Sequence, residues 1–418
     1  MTKITTVFCA AMALLWTTAV SAASLSPEES LGKKLLFDSN LSTPEGQACA
    51  ACHGPSVGFT GPDQTINAHG AVHPGAVNTR FGNRKPSSYG YAGYAPHLTL
   101  TGSGWVGGLF WDGRATGDIL GDPLAEQAQG PFLNPLEQNN PNASAVCNKV
   151  KASNYAGLFA RAWGLRALNC SNAGIDAAYE KIARSIAAYE RSSEVNPFSS
   201  KFDAFWHTAK AEGQDVTQIN PGNQANYANL GLNSQELNGL ALFNSQAHCS
   251  NCHVLSSVNG KPPVFTDFSF DNLGVPKNPE NPFYSETDVN PAGSDWVDPG
   301  LGGHLKNSGY PQSVYGPAMG QMQAQTLRNV DKRPDPTFVK AYMHNGYFKS
   351  LDSVVHFYNT RDVLPACESL SSPSPGVNCW PSPETAQNIN TIELGNLGLS
   401  SQEEADIVSF LKTLTDTP

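Results

Sequence analysis

Apolar positions along this chain fall mainly at helical spacing, and strand-like alternation is scarce. Leu31, Leu35 and Leu36 share one face of a helix announced by Ser26-Pro27-Glu28-Glu29. That run offers an N-cap serine, a proline at the first helical position and a glutamate to complete a capping box. The same grammar returns at Asn233-Ser234-Gln235-Glu236, ahead of Leu237, Leu240 and Ala241. The two helices end alike, in Leu36-Phe37-Asp38 and Leu242-Phe243-Asn244. Ile175, Tyr179, Ile182, Ile186 and Tyr189 predict a core helix over about 174–191. Ser400-Ser401-Gln402-Glu403 opens a further helix through Ile407, Val408, Leu411 and Leu414. The segments 255–315 and 364–390 are rich in Gly, Pro, Asn and Ser and read as long ordered loops. The expected fold class is mainly α with much loop.

Each Leu-Phe helix is followed by Cys-x-x-Cys-His, first at Cys49, Cys52 and His53, then at Cys249, Cys252 and His253. This is the attachment pattern of c-type haem. The thiols become thioethers on the haem vinyl groups, and the imidazole becomes an iron ligand. Zinc would need two further ligands at compact spacing, and a thioredoxin-like pair would need a βαβ setting; neither is near. The repeat therefore implies two covalently attached haem c groups, each in a small cytochrome c-like helical domain. Pro197 and the polar stretch 192–201 mark the boundary, giving 24–193 and 194–418.

Residues 1–22 read as a secretory signal, with Lys3, an apolar run from Val7 to Val20, and Val20-Ser21-Ala22 for cleavage. The expected location is the periplasm, and no other apolar run is long enough to span a membrane. Of nine cysteines, Cys9 leaves with the signal and four hold haem. Nearness in sequence favours Cys147–Cys170 and Cys367–Cys379 as disulfides, with free thiols as the alternative. A formal charge of −10 argues against nucleic acid and suits a partner with a basic surface.

Several further motifs carry a resemblance. Phe110-Trp111-Asp112-Gly113-Arg114-Ala115, Gln127-Ala128-Gln129-Gly130-Pro131, Asn134-Pro135-Leu136-Glu137, Leu327-Arg328-Asn329 and Tyr342-Met343-His344-Asn345-Gly346 occur in this order around the haem motifs. From about residue 26 to 415 the chain resembles the bacterial di-haem cytochrome c peroxidase family, including its MauG-like members. The resemblance implies two haem domains with a calcium ion between them, the first haem handling peroxide and the second exchanging electrons.

It also implies roles for single residues. Glu137 matches the acid/base glutamate that moves a proton between the peroxide oxygens, and Gln127 the distal glutamine. Trp111 matches the tryptophan between the haems. Asn83 matches a calcium-site asparagine, with carbonyls near Val339 and Ala341 completing the site. His73 and His69 lie in the loop that supplies a distal histidine to some members, but at a different spacing, and MauG-like members lack that ligand. Tyr358 stands where peroxidases of the family place a methionine on the second iron and MauG-like proteins a tyrosine; His356 is the competing ligand. A phenolate is a hard anion that favours ferric iron over ferrous. Trp206 is a possible surface exit for holes, His344 a possible haem-propionate partner, and six extra residues around Gly117–Asp122 a possible change to the peroxide mouth.

The function implied is a periplasmic peroxidase-type oxidoreductase that uses hydrogen peroxide to oxidise a redox partner protein. Tyr358 tilts this toward MauG-like oxidation of aromatic residues on that partner. The alternatives are peroxide detoxification with a small cytochrome or copper protein as donor, and a di-haem electron carrier without peroxide turnover.

Overall fold

The computed structural model describes residues 24–417; the signal-peptide reading of 1–22, Cys9 included, lies outside the described residues. Helices and ordered loops dominate, as expected. Among the described residues the strands are two short antiparallel pairs, Thr99–Thr101 with Gly104–Val106 and Phe270–Asp271 with Met322–Gln323.

The helix Pro27–Phe37 starts as its sequence dictates. Ser26 Oγ accepts the Glu29 amide at 3.1 Å, and the Glu29 carboxylate accepts the Ser26 amide at 2.7 Å. Those bonds satisfy donors that a helix start leaves open. The same box closes the starts of Ser234–Phe243 and Ser401–Lys412. The core helix predicted over 174–191 runs Ile175–Arg191.

Both Leu-Phe helices cross a partner at a glycine. A Cβ on Gly32 would fall 1.8 Å from the Ser185 carbonyl oxygen and 2.9 Å from Tyr189 Cβ; on Gly239 it would fall 2.0 Å from that of Asp406 and 2.9 Å from Phe410 Cβ. Each crossing is therefore backbone against backbone. In both, the glycine lies six residues after the N-cap and meets a carbonyl four residues before an aromatic ring. The duplication legible in the sequence thus recurs in the packing.

The two largest apolar cores draw on different stretches of chain. One gathers Leu31, Leu35, Phe132, Phe159, Ile182 and Ile186; the other gathers Phe202, Phe205, Leu240, Phe243, Phe265 and Phe410. Each such side chain contributes about 1.5–3 kcal/mol when fully buried. Trp206 packs into the second core, 6 % exposed, with Lys210 over its ring at 4.6 Å.

Buried polar contacts fasten the two stretches together. Arg328 donates to both carboxylate oxygens of Asp203 at 2.7 Å and to the Pro263 carbonyl, with Tyr91, Phe198 and Phe265 around its guanidinium. Asp416 accepts from Tyr91 Oη, Asn329 Nδ2 and the Ser199 amide. Gln323 Nε2 donates to the carbonyls of Gly107 and Gly108. The disulfides are Cys147–Cys170 and Cys367–Cys379, as nearness in sequence suggested, which leaves the four motif cysteines outside any disulfide. No helix among the described residues is long and apolar enough to cross a membrane.

Candidate haem cradles and the wall between them

The two Cys-x-x-Cys-His motifs fold alike. Cys49–Ala51 and Cys249–Asn251 each form a single tight turn, and the histidine amide returns to the first cysteine's carbonyl at 3.0 and 2.9 Å. Nδ1 of His53 meets the Phe59 carbonyl at 3.1 Å, and Nδ1 of His253 meets that of Phe265 at 2.9 Å. Each bond holds the proton on Nδ1 and leaves Nε2 for a metal. Burial lowers the pKa of both imidazoles, which favours the neutral, ligating form. Burial also pushes the four motif thiols up to about 12, so they are not activated redox nucleophiles. Each motif borders its own cavity, about 1420 Å³ for the first and 1580 Å³ for the second, mouths included. Paired thiols, an oriented imidazole and an apolar-lined space fit a haem c in each.

The first cradle brings Glu137 and Gln127 together with His53. Gln127 and Pro131 lie one turn apart on Pro123–Leu133 and share its inner face. The chain then leaves the helix at Asn134, whose Nδ2 donates to Glu137 Oε1 at 2.6 Å. Enclosure raises the Glu137 pKa, while Arg114 and the Asn134 bond oppose the rise. His73 reaches this cradle too, with a buried Nε2 that has no protein partner and a pKa lowered to about 4 by burial. His69 does not; it is exposed and pairs with Glu280 at 3.0 Å. None of residues 117–122 lines the cradle, because Glu126 gathers the amides of Gly117, Ile119 and Leu120 into a separate loop.

Sequence reasoning missed three groups here. Arg114 lies over the Phe110 ring at 3.7 Å and bonds Asp112. Gln138 follows Glu137 and points Nε2 at Cys49 Sγ, 3.5 Å away. Glu190 is buried with an unpartnered Oε2, and burial pushes its carboxyl up to about 8. The signal for Glu190 was a charge in the apolar stripe, four residues beyond Ile186.

In the second cradle, Leu351, Val354 and Tyr358 line the cavity from one face of the helix Leu351–Thr360. His356 points elsewhere, since two residues turn a helix through more than half a circle; its Nδ1 pairs with Glu404 at 3.0 Å. The Tyr358 hydroxyl bonds no other described residue, and burial holds its pKa well above that of an ordinary phenol. Met322 and Met343 also line this cradle. His344 does so as well, but its Nε2 is engaged by Glu384 at 3.0 Å.

The two cavities share a wall of Lys85, Ser87, Ser88, Trp111 and Gln325. Trp111 Nε1 donates to the Lys85 carbonyl at 2.9 Å, and its ring meets His344 edge-on at 6.3 Å. Of the groups expected at a calcium ion, Asn83 lines the first cavity and Ala341 the second, and the Val339 carbonyl accepts Asn67 Nδ2 at 3.1 Å. Three basic side chains, Arg84, Lys85 and Lys340, also border these cavities.

Comparison with known proteins agrees with this geometry. The family model for di-haem cytochrome c peroxidase matches residues 26–211. The methylamine utilization protein MauG of Paracoccus denitrificans is 31 % identical over 391 residues, covering 92 % of this chain and 88 % of that protein. A cytochrome-c peroxidase of Denitromonas iodatirespirans is 24 % identical over 394 residues, 93 % of this chain and 81 % of its own. The crystal structure of the diheme peroxidase BthA from Burkholderia thailandensis superposes with a TM-score of 0.70 at 27 % identity, covering 94 % of this chain and 90 % of that one. Fold and cradles define a haem-dependent oxidoreductase of the peroxidase type. The chain belongs to the di-haem cytochrome c peroxidase family that includes MauG, whose cofactors are two haem c groups.

Proposed function

We propose that this enzyme is an exported, periplasmic MauG-like peroxidase with a peroxide-handling haem domain over 24–193 and an electron-exchanging one over 194–418. One observation carries the reading: Glu137 and Tyr358 line different cradles, and Trp111 lies in the wall of both. Bound haem supplies activation of hydrogen peroxide and storage of its oxidising power. Glu137 takes the first peroxide proton and returns it to the leaving oxygen, and its enclosure moves its pKa toward that task. The Gln127 amide orients the peroxide, and Arg114 steadies the charge on Glu137. Trp111 relays electrons between the cradles, its indole fixed by the Lys85 carbonyl. Tyr358 and His253 would hold the second haem's iron, and the Tyr358 hydroxyl would supply it with a hard oxygen donor. The electrons come from a partner protein, oxidised at aromatic residues.

The test is to mix the fully ferric protein with stoichiometric peroxide and follow haem absorption and EPR. A rapid, long-lived change without prior reduction supports the reading. Reaction only after one electron is added favours the second reading, in which His73 caps the first iron and a small cytochrome or copper protein is the donor; its unpartnered Nε2 in the cradle is the reason to keep it. No reaction even after half-reduction means a di-haem electron carrier.

A further inference from the structure

We infer that a third cavity, outside the first cradle, is the antechamber by which hydrogen peroxide enters and water leaves. Gln47 and His73 form the gate between the two. The inference rests on the first cradle being the peroxide site, and deepens that reading by naming the way in.

Reduction of hydrogen peroxide to two waters takes up two electrons and two protons. The electrons come by way of Trp111, whereas peroxide, water and protons must cross from solvent. The third cavity, about 1470 Å³ with its mouth, shares Gln47, Cys52, His73 and Pro74 with the first cradle and no lining residue with the second. Its lining includes Asp63 and Asp335 but no lysine or arginine, which favours a neutral entrant over an anion. Gly75 and Ala76 wall it as well. The Ala76 amide donates to the Glu137 carbonyl at 2.7 Å, and a Cβ on Gly75 would fall 2.4 Å from the Leu136 carbonyl oxygen. The antechamber is therefore laid directly against the segment that carries the acid/base carboxylate.

Side chains close the neck. Gln47 Nε2 donates to the Pro74 carbonyl at 2.8 Å and comes within 3.5 Å of Cys52 Sγ, so one amide spans the shared wall. Gln47 Oε1 and His73 Nε2 are buried and have no partner among the described residues. Buried polar atoms are nearly always paired, with protein or with ordered water. Besides Arg84, whose charge Asp112 meets at 2.7 Å, five side chains lining the first cradle break that rule. They are Gln47, His73, Tyr89, Gln138 and Glu190, and among the described residues no side chain lining the second cradle joins them. The first cradle is thus the one equipped to hold water in ordered positions, and two of its five water-seeking groups stand at the neck.

The experiment follows entry of hydrogen cyanide, a neutral probe, into the ferric holoprotein by stopped-flow absorption. Association and dissociation at the first haem are measured in the unmodified protein, Gln47→Ala, His73→Ala and Asn78→Trp. Asn78 is exposed and lines the antechamber, where a larger side chain narrows the mouth without entering the core. The alanine variants are expected to speed both steps and the tryptophan variant to slow both, each by roughly three- to tenfold. Affinity is expected to stay constant, because a passage changes rates and not the equilibrium. Unmoved rates in Asn78→Trp mean that the groove is not the way in and overturn the inference. Unmoved rates in a folded Gln47→Ala remove its gating role; if that variant fails to fold, Asn78→Trp decides. Cyanide that binds only once His73 is replaced makes His73 an iron ligand and overturns its part in the gate. No peroxide is consumed in these measurements. Failure to react with peroxide, alongside the expected cyanide rates, would therefore fault the peroxide reading and leave the passage standing.

Discussion

Two carboxylates border the first haem cradle, and their surroundings assign them different work. Glu137 has a hydrogen-bond donor in Asn134 and a guanidinium within electrostatic reach, whereas Glu190 has an oxygen with no partner at all. Glu137→Gln is expected to slow the reaction with peroxide by roughly 10²–10⁴-fold while leaving the resting haem spectra intact; stopped-flow mixing reads the loss. Intact peroxide reactivity would end the acid/base assignment. Glu190 makes a different prediction, about stability. Its folded-state pKa, about 8, lies above the ordinary carboxylate value. Its contribution is therefore fully present below that ordinary value and is lost as pH rises through about 8. Glu190→Gln is expected to flatten the fall in melting temperature across that interval, measured on the holoprotein. Tyr358→Met is expected to raise the potential of the second haem, because a thioether favours ferrous iron more than a phenolate does; a spectroelectrochemical titration checks it. At this scale the sequence made the haem cysteines and histidines legible, because covalent attachment demands fixed spacing. Tyr358 was favoured over His356 by its match to the family's ligand position, and the nearness of Arg114 to Glu137 gave no sign because it is not local in sequence.

At the level of elements, the capping boxes and apolar stripes placed the helices correctly, since both are local grammar. The crossings were not legible in advance. A glycine within a helix reads as a weakness of about 1 kcal/mol relative to alanine, and only the fold shows that Gly32 and Gly239 each face a carbonyl oxygen. The sign of the substitution is thereby reversed. Gly32→Ala and Gly239→Ala are each expected to destabilise the protein by about 1–3 kcal/mol through overpacking, seen as a lower denaturant midpoint. Neutral or stabilising variants would mean that the helices cross more loosely than described. The absence of any contribution from 117–122 to the cradle has an equally physical cause. Glu126, on the following helix, collects the amides of that loop and holds it apart.

For the molecule as a whole, the two cavities share a wall, and the buried Arg328–Asp203 pair and the Asp416 contacts fasten the stretches that carry them. Such long-range pairings leave no trace in a single sequence. The disulfides did, because each closes a short interval, 23 and 12 residues. Their placement has a consequence for how the protein is made. An oxidising compartment that joins Cys147 to Cys170 has the same tendency to join Cys49 to Cys52 and Cys249 to Cys252, so eight sulfurs must be sorted before haem arrives. Depth alone does not sort them, since Cys147 and Cys379 are fully buried but Cys170 is only partly so, like the four haem cysteines. Spacing separates the pairs instead: the structural ones close intervals of 23 and 12 residues, whereas each haem pair sits within one tight turn.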